Sequence, residues 1–172
     1  MKTWEVESDS GYGYTDAFTL NQLTRVGKQR LLKLANFLEN LPASQFNLDV
    51  IVEAESLNKV PSKTTVKQKT CGTAGCGIGY CPVVFRDVKY SEDSYDGEIV
   101  VKFPNCEDLD DTNFNGAEQF FGITYKQAEY LFMPGAYHVS KRGPKSVAAR
   151  IKAFVNRDGY IKPNTMAFNL EY

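Results

Sequence analysis

Cysteine and histidine are the residues of this chain whose types are suited to a covalent catalytic site. The sequence has one histidine, His138, and four cysteines: Cys71, Cys76, Cys81 and Cys106. A cysteine at a helix N-terminus favours the thiolate, and a histidine can serve as its base. Cys71 or Cys76 with His138, oriented by Asn156 or Asn164, would follow the papain-type order of cysteine, histidine and asparagine. The local sequence that papain-type enzymes carry around the cysteine is absent. Thiols that pack as small apolar residues are therefore the favoured interpretation, and a cysteine-dependent hydrolase is the alternative.

The stretch from Cys71 to Pro82 is unusual because nearly all of its side chains are small. It contains three of the four cysteines and four of the thirteen glycines. Such a stretch lets two backbones approach closely in a core, or brings a backbone close to a ligand. A nucleotide loop is excluded, because the polar run Lys67–Thr70 precedes the stretch and Gly-Lys-Ser/Thr is absent. We therefore predict that Cys71–Cys81 packs inside the protein with other elements pressed against it.

The sequence offers little for a metal ion. The C-x4-C-x4-C spacing lacks the paired C-x2-C knuckles of structural zinc sites, and a single histidine cannot replace them. Asp111–Gly116 matches the first six positions of an EF-hand loop, but the twelfth position is Gly122, where calcium requires a bidentate glutamate. We therefore predict a polar turn that caps a helix there, with no metal and no other cofactor.

Charge is distributed unevenly along the chain. From Ser91 to Glu118 there are nine acidic residues and one basic residue, although the formal net charge of the whole chain is only -1. An acidic surface of this kind can steer a partner, and neighbouring aromatic side chains can anchor the contact. The predicted protein-binding residues are Tyr90, Glu92, Asp93, Tyr95, Asp96, Phe103, Asp108, Asp110 and Asp111.

The segment from His138 to Lys162 has the opposite charge, with seven basic residues and one acidic residue. A helix there could contact nucleic acid through Lys145, Arg150, Lys152 and Arg157. No helix-turn-helix or zinc-finger signature accompanies these residues. The alternative is that the acidic and basic segments face each other or are simply solvated, because isolated surface charges rarely carry a function.

Hydrophobic spacing and capping residues predict the elements that would position these groups. We predict a mainly helical α+β fold with a small antiparallel hairpin. The first predicted helix covers 20–41; Asp16 or Thr19 caps it, Gly27 interrupts it and Pro42 ends it. A short helix over 74–80 is capped by Thr73. The next three are a helix through Phe121, capped by Asn113 or Asn115 and stopped by Gly122; a helix that starts at Thr124, forms a capping box with Gln127 and is ended by Pro134-Gly135; and a helix from Pro144 to Gly159. The predicted strands are Val83–Phe85 and Glu98–Phe103, with the turn between them in 93–97.

Length and composition indicate one globular domain over residues 1–172. No apolar run approaches the ~20 residues of a membrane span, and acids near the N-terminus do not fit a signal peptide. Free thiols fit a reducing compartment, so a cytoplasmic protein is expected. Residues 1–15 are predicted to be a flexible lead-in, and the lysine-rich residues 53–70 an exposed loop.

Three pieces of the sequence stand in a recognisable order. They are Cys71–Gly79, Phe120–Thr124 followed by Gln127–Phe132, and Val147–Ile151. Together they resemble small proteins of bacteriophages and mobile elements, which carry a C-G-T-x-x-C-x-x-G motif and an F-F-G helix pair. That family has no established activity, so the resemblance implies a setting and an order of elements. We therefore expect a non-catalytic protein that binds another macromolecule, and the phage setting favours inhibition of a host or defence protein in the host cytoplasm.

Overall fold

The computed structural model describes residues 23–68, 74–93, 96–104 and 112–161. The described α-helices are α1 (Arg25–Glu39), α2 (Lys63–Gln68), α3 (Cys81–Val84), α4 (Asn113–Phe121), α5 (Tyr125–Phe132) and α6 (Pro144–Asn156). The strands are β1 (Lys89–Glu92) and β2 (Ile99–Lys102), which pair antiparallel. The predicted mainly helical α+β fold is thus confirmed. The predicted lead-in of residues 1–15 lies outside the described residues.

Helix α1 begins later than its hydrophobic spacing predicts. Thr24 is its N-cap, and the Oγ1 atom of Thr24 accepts a hydrogen bond of 3.0 Å from the backbone N–H of Gly27. The predicted caps Asp16 and Thr19 lie outside the described residues. Gly27 does not interrupt the helix, which is continuous over Arg25–Glu39. A Cβ atom at Gly27 would lie 2.2 Å from the carbonyl oxygen of Phe121. The glycine instead permits close packing of α1 against the end of α4.

Local signals predict the α4–α5 junction well. Gly122 adopts a left-handed conformation with φ of 64° and ends α4. Thr124 and Gln127 then form the predicted capping box at the start of α5. The prediction that Asn113 or Asn115 caps α4 is wrong, because Thr112 is the N-cap and Asn113 is the first helical residue. The amide oxygen of Asn113 instead accepts a 3.0 Å hydrogen bond from the backbone N–H of Val101 in β2.

Helix α6 packs along α1 and closes the core. It begins at Pro144, as predicted, because proline suits the first helical position. Its buried apolar residues belong to one contiguous hydrophobic cluster of the described residues: Val147, Ala148, Ile151, Phe154 and Val155. An ion pair of 2.6 Å between Lys152 and Glu39 joins the two helices at the surface.

The predicted hairpin exists, but its first strand was placed wrongly. Val83–Phe85 was predicted as a strand, whereas Val83 and Val84 end helix α3. The strand that pairs with β2 is β1, in a register that sets Lys89 opposite Lys102 and Glu92 opposite Ile99. The described residues of the predicted turn, 93, 96 and 97, lie between the two strands, and the N–H of Gly97 donates to the carbonyl of Asp93 over 3.0 Å. The exposed segment 53–70 is also not simply a loop, since it contains a 3-10 helix over Leu57–Lys59 and helix α2.

The short helix predicted over 74–80 is wrong, because the backbone of this stretch bonds to a distant part of the chain. Gly75 forms β-bridges with Phe46 and Val52, and the N–H of Cys76 donates to the carbonyl of Ile51 over 3.2 Å. Residues 77–80 then form a turn that leads into α3. Extended pairing therefore replaces helical hydrogen bonds at residues 74–76, whereas the turn keeps one bond of helical spacing, from the N–H of Tyr80 to the carbonyl of Cys76 over 3.2 Å.

The predicted internal packing of this stretch is confirmed for its described part, residues 74–81, which we call the packing segment. Every residue in it is buried. A Cβ atom at Gly79 would lie 1.8 Å from the carbonyl oxygen of Ile51, and one at Gly75 would lie 2.8 Å from the same atom. The small residues therefore allow two stretches of backbone to touch, and the buried side chains of Ile78 and Tyr80 fill the space beside them. None of the helices in the described ranges combines the length and apolar character that a bilayer crossing demands.

Candidate interaction surface

The β1–β2 hairpin carries the described part of the predicted acidic surface. Glu92, Asp96 and Glu98 are exposed, and Asp93 is half-buried. A carboxylate oxygen of Asp96 accepts a 2.9 Å hydrogen bond from the backbone N–H of Glu98, which fixes the turn. Within the described ranges, no ion pair neutralises Glu92 or Glu98. The hairpin therefore presents negative charge directly to solvent.

Three aromatic residues are predicted to anchor a contact, and the two that the structure describes differ in exposure. Tyr90 is half-buried, and its hydroxyl donates a 2.7 Å hydrogen bond to the carbonyl of Gly79, so the packing segment holds the ring in place. Phe103 is only 2% exposed and packs against Phe120 with ring centroids 5.2 Å apart. The prediction that Phe103 contacts a partner is therefore wrong, because the ring belongs to the core.

Four other predicted contact residues, Tyr95, Asp108, Asp110 and Asp111, lie outside the described residues. Their roles stay predictions. The same holds for Cys71 and Asn164 as members of a catalytic site, and for Cys106.

An apolar groove lies at the base of the hairpin, where β1 begins. Its walls come from two parts of the chain, residues 57–63 and residues 82–90, and it is a shallow depression, open to solvent, with a volume of about 630 Å³. We call it the β1 groove. One of its lining residues, Tyr90, belongs to the predicted protein-binding set, and the groove itself is not predicted from the sequence. The available signal was the apolar set Leu57, Val60 and Pro61 within a segment whose other residues are mostly polar.

Cys76 is not placed to act as a nucleophile. It is 1% exposed, and burial raises the pKa of its thiol to about 11. Cys81 is completely buried, and burial together with the nearby Cys76 raises its pKa well above the ordinary value. At neutral pH Cys76 is therefore a protonated thiol without access to a substrate, and the hypothesis of Cys76 as catalytic residue is wrong.

His138 and Asn156 are both exposed and are not joined to Cys76. The Nδ1 atom of His138 lies 2.8 Å from the hydroxyl of Ser140 at the start of a short 3-10 helix. Asn156 is the last residue of α6. Among the described residues, no hydrogen bond connects His138 with Cys76 or with Asn156. The geometry therefore assembles no catalytic pair from these three residues.

The basic helix α6 uses two of its four predicted nucleic-acid contacts for the fold. The Nη1 atom of Arg150 donates to the carbonyls of Tyr130 and Ala136, over 2.9 Å and 2.5 Å. The central carbon of the Arg150 guanidinium lies 3.4 Å from the ring centroid of Tyr137. Lys152 pairs with Glu39. Lys145 and Arg157 are exposed. Only these two residues of the predicted set thus present their charge outward without a described partner.

The basic segment also pairs with parts of the chain other than the acidic segment. Arg142 forms an ion pair of 3.1 Å with Asp49, and Lys152 pairs with Glu39. Within the described ranges, no ion pair joins residues 138–161 to the hairpin. The interpretation that the two charged segments neutralise each other therefore receives no support from the described ion pairs.

The partial EF-hand match does not form a calcium loop. Residues 113–121 are helical, and Gly122 is the cap that ends the helix. The described ranges contain no cluster of three or more histidine, cysteine, aspartate or glutamate side chains able to hold a metal ion. Residues 113–116, predicted as part of a polar turn that caps a helix, are instead the first residues of α4, and the N-cap Thr112 makes no side-chain capping hydrogen bond.

Comparison with protein-family models, with curated proteins and with solved structures gave no match to this chain.

Proposed function

We propose that this protein is a non-catalytic binding protein that engages a protein partner through the β1–β2 hairpin. The observation that supports the proposal most directly is the exposed negative charge of Glu92 and Glu98, which no described cation neutralises. Asp93 and Asp96 extend the same surface, and the fixed ring of Tyr90 lies at its base. The partner is therefore expected to present a basic surface.

The physical basis of the proposal is electrostatic steering. Like charges held together in a hairpin repel one another, so their clustering does not stabilise the fold. The same cluster creates a local negative potential that raises the association rate with a basic partner. A hairpin anchored on a rigid core also loses little conformational entropy when it binds.

The setting of the proposal comes from the resemblance to small proteins of bacteriophages and mobile elements. Such a setting favours a protein that acts in the host cytoplasm by binding and inhibiting a host or defence protein. Binding alone is sufficient for inhibition of this kind, so no catalytic group is needed. Nucleic acid is the less favoured partner, because Arg150 and Lys152 have contacts within the fold.

The experiment is capture from host lysate with charge-reversal variants. Glu92→Lys and Glu98→Lys change the hairpin, and Glu53→Lys is the matched control, since Glu53 is also exposed and unpaired among the described residues. Each hairpin variant is expected to lower recovery of a specific partner several-fold, and the control is expected to leave it unchanged. Recovery of the partner by the wild-type chain should also fall as salt rises, because surface charges are screened.

Equal recovery by the hairpin variants and the control would refute the hairpin as the binding surface. The alternative of a hydrolase that uses Cys71 with His138 is tested in the same preparation with a thiol-reactive probe. Fast labelling of Cys71 at neutral pH, lost in His138→Ala, would favour the enzyme over the proposed binding protein.

A further inference from the structure

The β1 groove has a chemistry that differs from that of the acidic hairpin beside it. We propose that it binds an extended peptide segment of a partner, one that carries apolar side chains and at least one carboxylate. The inference rests on the proposed function only in taking the partner to be a protein. The residues that carry the inference are separate from the hairpin carboxylates, so the two can be tested independently.

The inside of the groove is apolar. Its apolar lining consists of Leu57, Val60, Pro61, Pro82, Val83 and Val88. Val83 and Val88 are buried and form the floor, whereas Leu57 is 40% exposed and stands at the edge. An apolar side chain of a ligand would therefore replace water over a surface that is already built of hydrocarbon.

Tyr90 is one of the lining residues of the groove. The hydroxyl donates its hydrogen bond to the carbonyl of Gly79 in the packing segment. This hydrogen bond restrains the position of the Tyr90 ring. Pro61 and Pro82 lie one in each of the two parts of the chain that line the groove, and each limits the backbone freedom of its part. A groove with restrained walls loses less entropy on binding than one that must be ordered by its ligand.

The rim of the groove is positively charged. Lys63 and Lys89 are among its lining residues, both are exposed, and neither forms an ion pair with a described residue. Among the residues that the structure describes, no acidic side chain lines the groove. The nearby Lys59, in contrast, pairs with Glu55. Two unpaired ammonium groups beside an apolar surface favour a ligand with a carboxylate next to apolar side chains.

The charge changes sign along β1, which begins at Lys89 by the groove and ends at Glu92 in the hairpin. A basic peptide would be repelled at the groove, and an acidic one would be repelled at the hairpin. A partner that meets both surfaces must therefore offer an acidic, apolar segment to the groove and a basic surface to the hairpin. This charge pattern would therefore both attract the partner and fix its orientation on the surface.

The experiment selects short random peptides on the full chain and measures binding of the enriched peptides by fluorescence anisotropy. The enriched peptides are expected to place aspartate or glutamate beside leucine, isoleucine, valine or phenylalanine. Lys63→Glu with Lys89→Glu should weaken their binding by about tenfold or more, and Leu57→Ser should weaken it several-fold. The hairpin variants Glu92→Lys and Glu98→Lys should not weaken it.

Matched controls come from exposed residues elsewhere in the chain. Lys141→Glu with Lys145→Glu repeats the double charge reversal, and Val139→Ser repeats the loss of an exposed apolar side chain, since Val139 is 73% exposed. These controls should change the affinity less than about twofold. Circular dichroism and thermal unfolding check that each variant is folded, and Lys63→Gln with Lys89→Gln serves if the reversed pair is not.

Several outcomes would overturn the inference. One is an enriched set that is basic or lacks acidic residues, and another is the absence of any enriched peptide. A third is equal binding by the groove variants and their controls. A fourth is self-association of the wild-type chain that the groove variants abolish, which would make a second copy of this chain the occupant.

Discussion

Substitution of Gly79 by alanine tests the close backbone contact on which the packing segment depends. A Cβ atom at this position would lie 1.8 Å from the carbonyl oxygen of Ile51, where real Cβ contacts keep at least 3.0 Å, so the two backbones must separate by 1.2 Å. The clash is with backbone, so a change of side-chain rotamer cannot relieve it. The variant is therefore expected to shift residues 50–52 as a unit.

The magnitude follows from what that shift disturbs. Overpacking a well-packed core costs about 1–3 kcal/mol. The displaced carbonyl also accepts a 3.2 Å hydrogen bond from the N–H of Cys76, which is shared with the carbonyl of Val50 at 3.1 Å; a shift of residues 50–52 disturbs both and adds about 1 kcal/mol. We expect Gly79→Ala to lower the free energy of unfolding by about 3 kcal/mol. For a chain of this size, that loss lowers Tm by roughly 6–12 °C.

Urea unfolding followed by circular dichroism, with calorimetry as a second measure, provides the assay. Gly135→Ala is the matched control, because a Cβ atom there meets nothing within 4 Å. The control should change stability by less than about 1 kcal/mol, in the stabilising direction if at all. A Gly79→Ala variant as stable as this control would refute the close-contact explanation.

Three further predictions concern polar side chains that are buried or partly buried: Cys76, Arg150 and Gln45. Burial raises the pKa of Cys76 from its ordinary value of 9.0 to about 11, so the contribution of this thiol to stability is full below pH 9 and falls by about 2 kcal/mol as pH rises to 11. The pKa of Cys81 is also raised by burial, so Cys81 adds to the fall in the same range. Urea unfolding across this range checks the prediction: Cys76→Ala should make the slope shallower, and a slope unchanged by Cys76→Ala would contradict the contribution of Cys76. Arg150→Lys keeps the positive charge but loses the stacking over Tyr137 and the paired hydrogen bonds to two carbonyls. It should lower the free energy of unfolding by about 2 kcal/mol in the same assay. Unchanged stability would contradict a structural role for Arg150. Gln45 is 3% exposed and neither amide atom has a described hydrogen-bond partner, so Gln45→Met should stabilise the fold by about 1 kcal/mol, whereas a loss of stability would show that the amide is satisfied.

Local signals in the sequence were sufficient to predict the second half of the fold. Gly122, the Thr124–Gln127 capping box and Pro144 each act through their own backbone neighbours, and the structure places all of them as predicted. The stripe of apolar residues in α6 likewise predicts its buried face. These features depend on contacts within one or two helical turns, so they can be recognised without knowledge of the tertiary structure.

The first half contains the features that could not be predicted in this way. Gly75 bridges to Phe46 and Val52, which are more than twenty residues away, and this pairing overrides the helix predicted over 74–80. Val83 and Val84 have the composition of a strand but end helix α3, because Pro82 and the preceding turn start a helix there. Tertiary contacts decide both cases, and local propensity is weak against them.

The candidate site was predicted in part. The acidic hairpin follows from composition, but the burial of Phe103 does not, because an aromatic residue at the end of a strand can face the core or the solvent. The β1 groove required the fold itself, since its walls, residues 57–63 and residues 82–90, are brought together only by packing. The burial of Cys76 was expected from its small neighbours, and the structure shows how it arises.

Thiol labelling of the native chain, followed residue by residue with mass spectrometry, tests most directly whether the packing segment is internal. Cys76 and Cys81 are 1% and 0% exposed, so we predict that both react at least about a hundredfold more slowly than in the urea-denatured chain. Labelling of either cysteine at the denatured-chain rate would contradict an internal packing segment, and with it the assignment of binding to the surface of the hairpin and the groove.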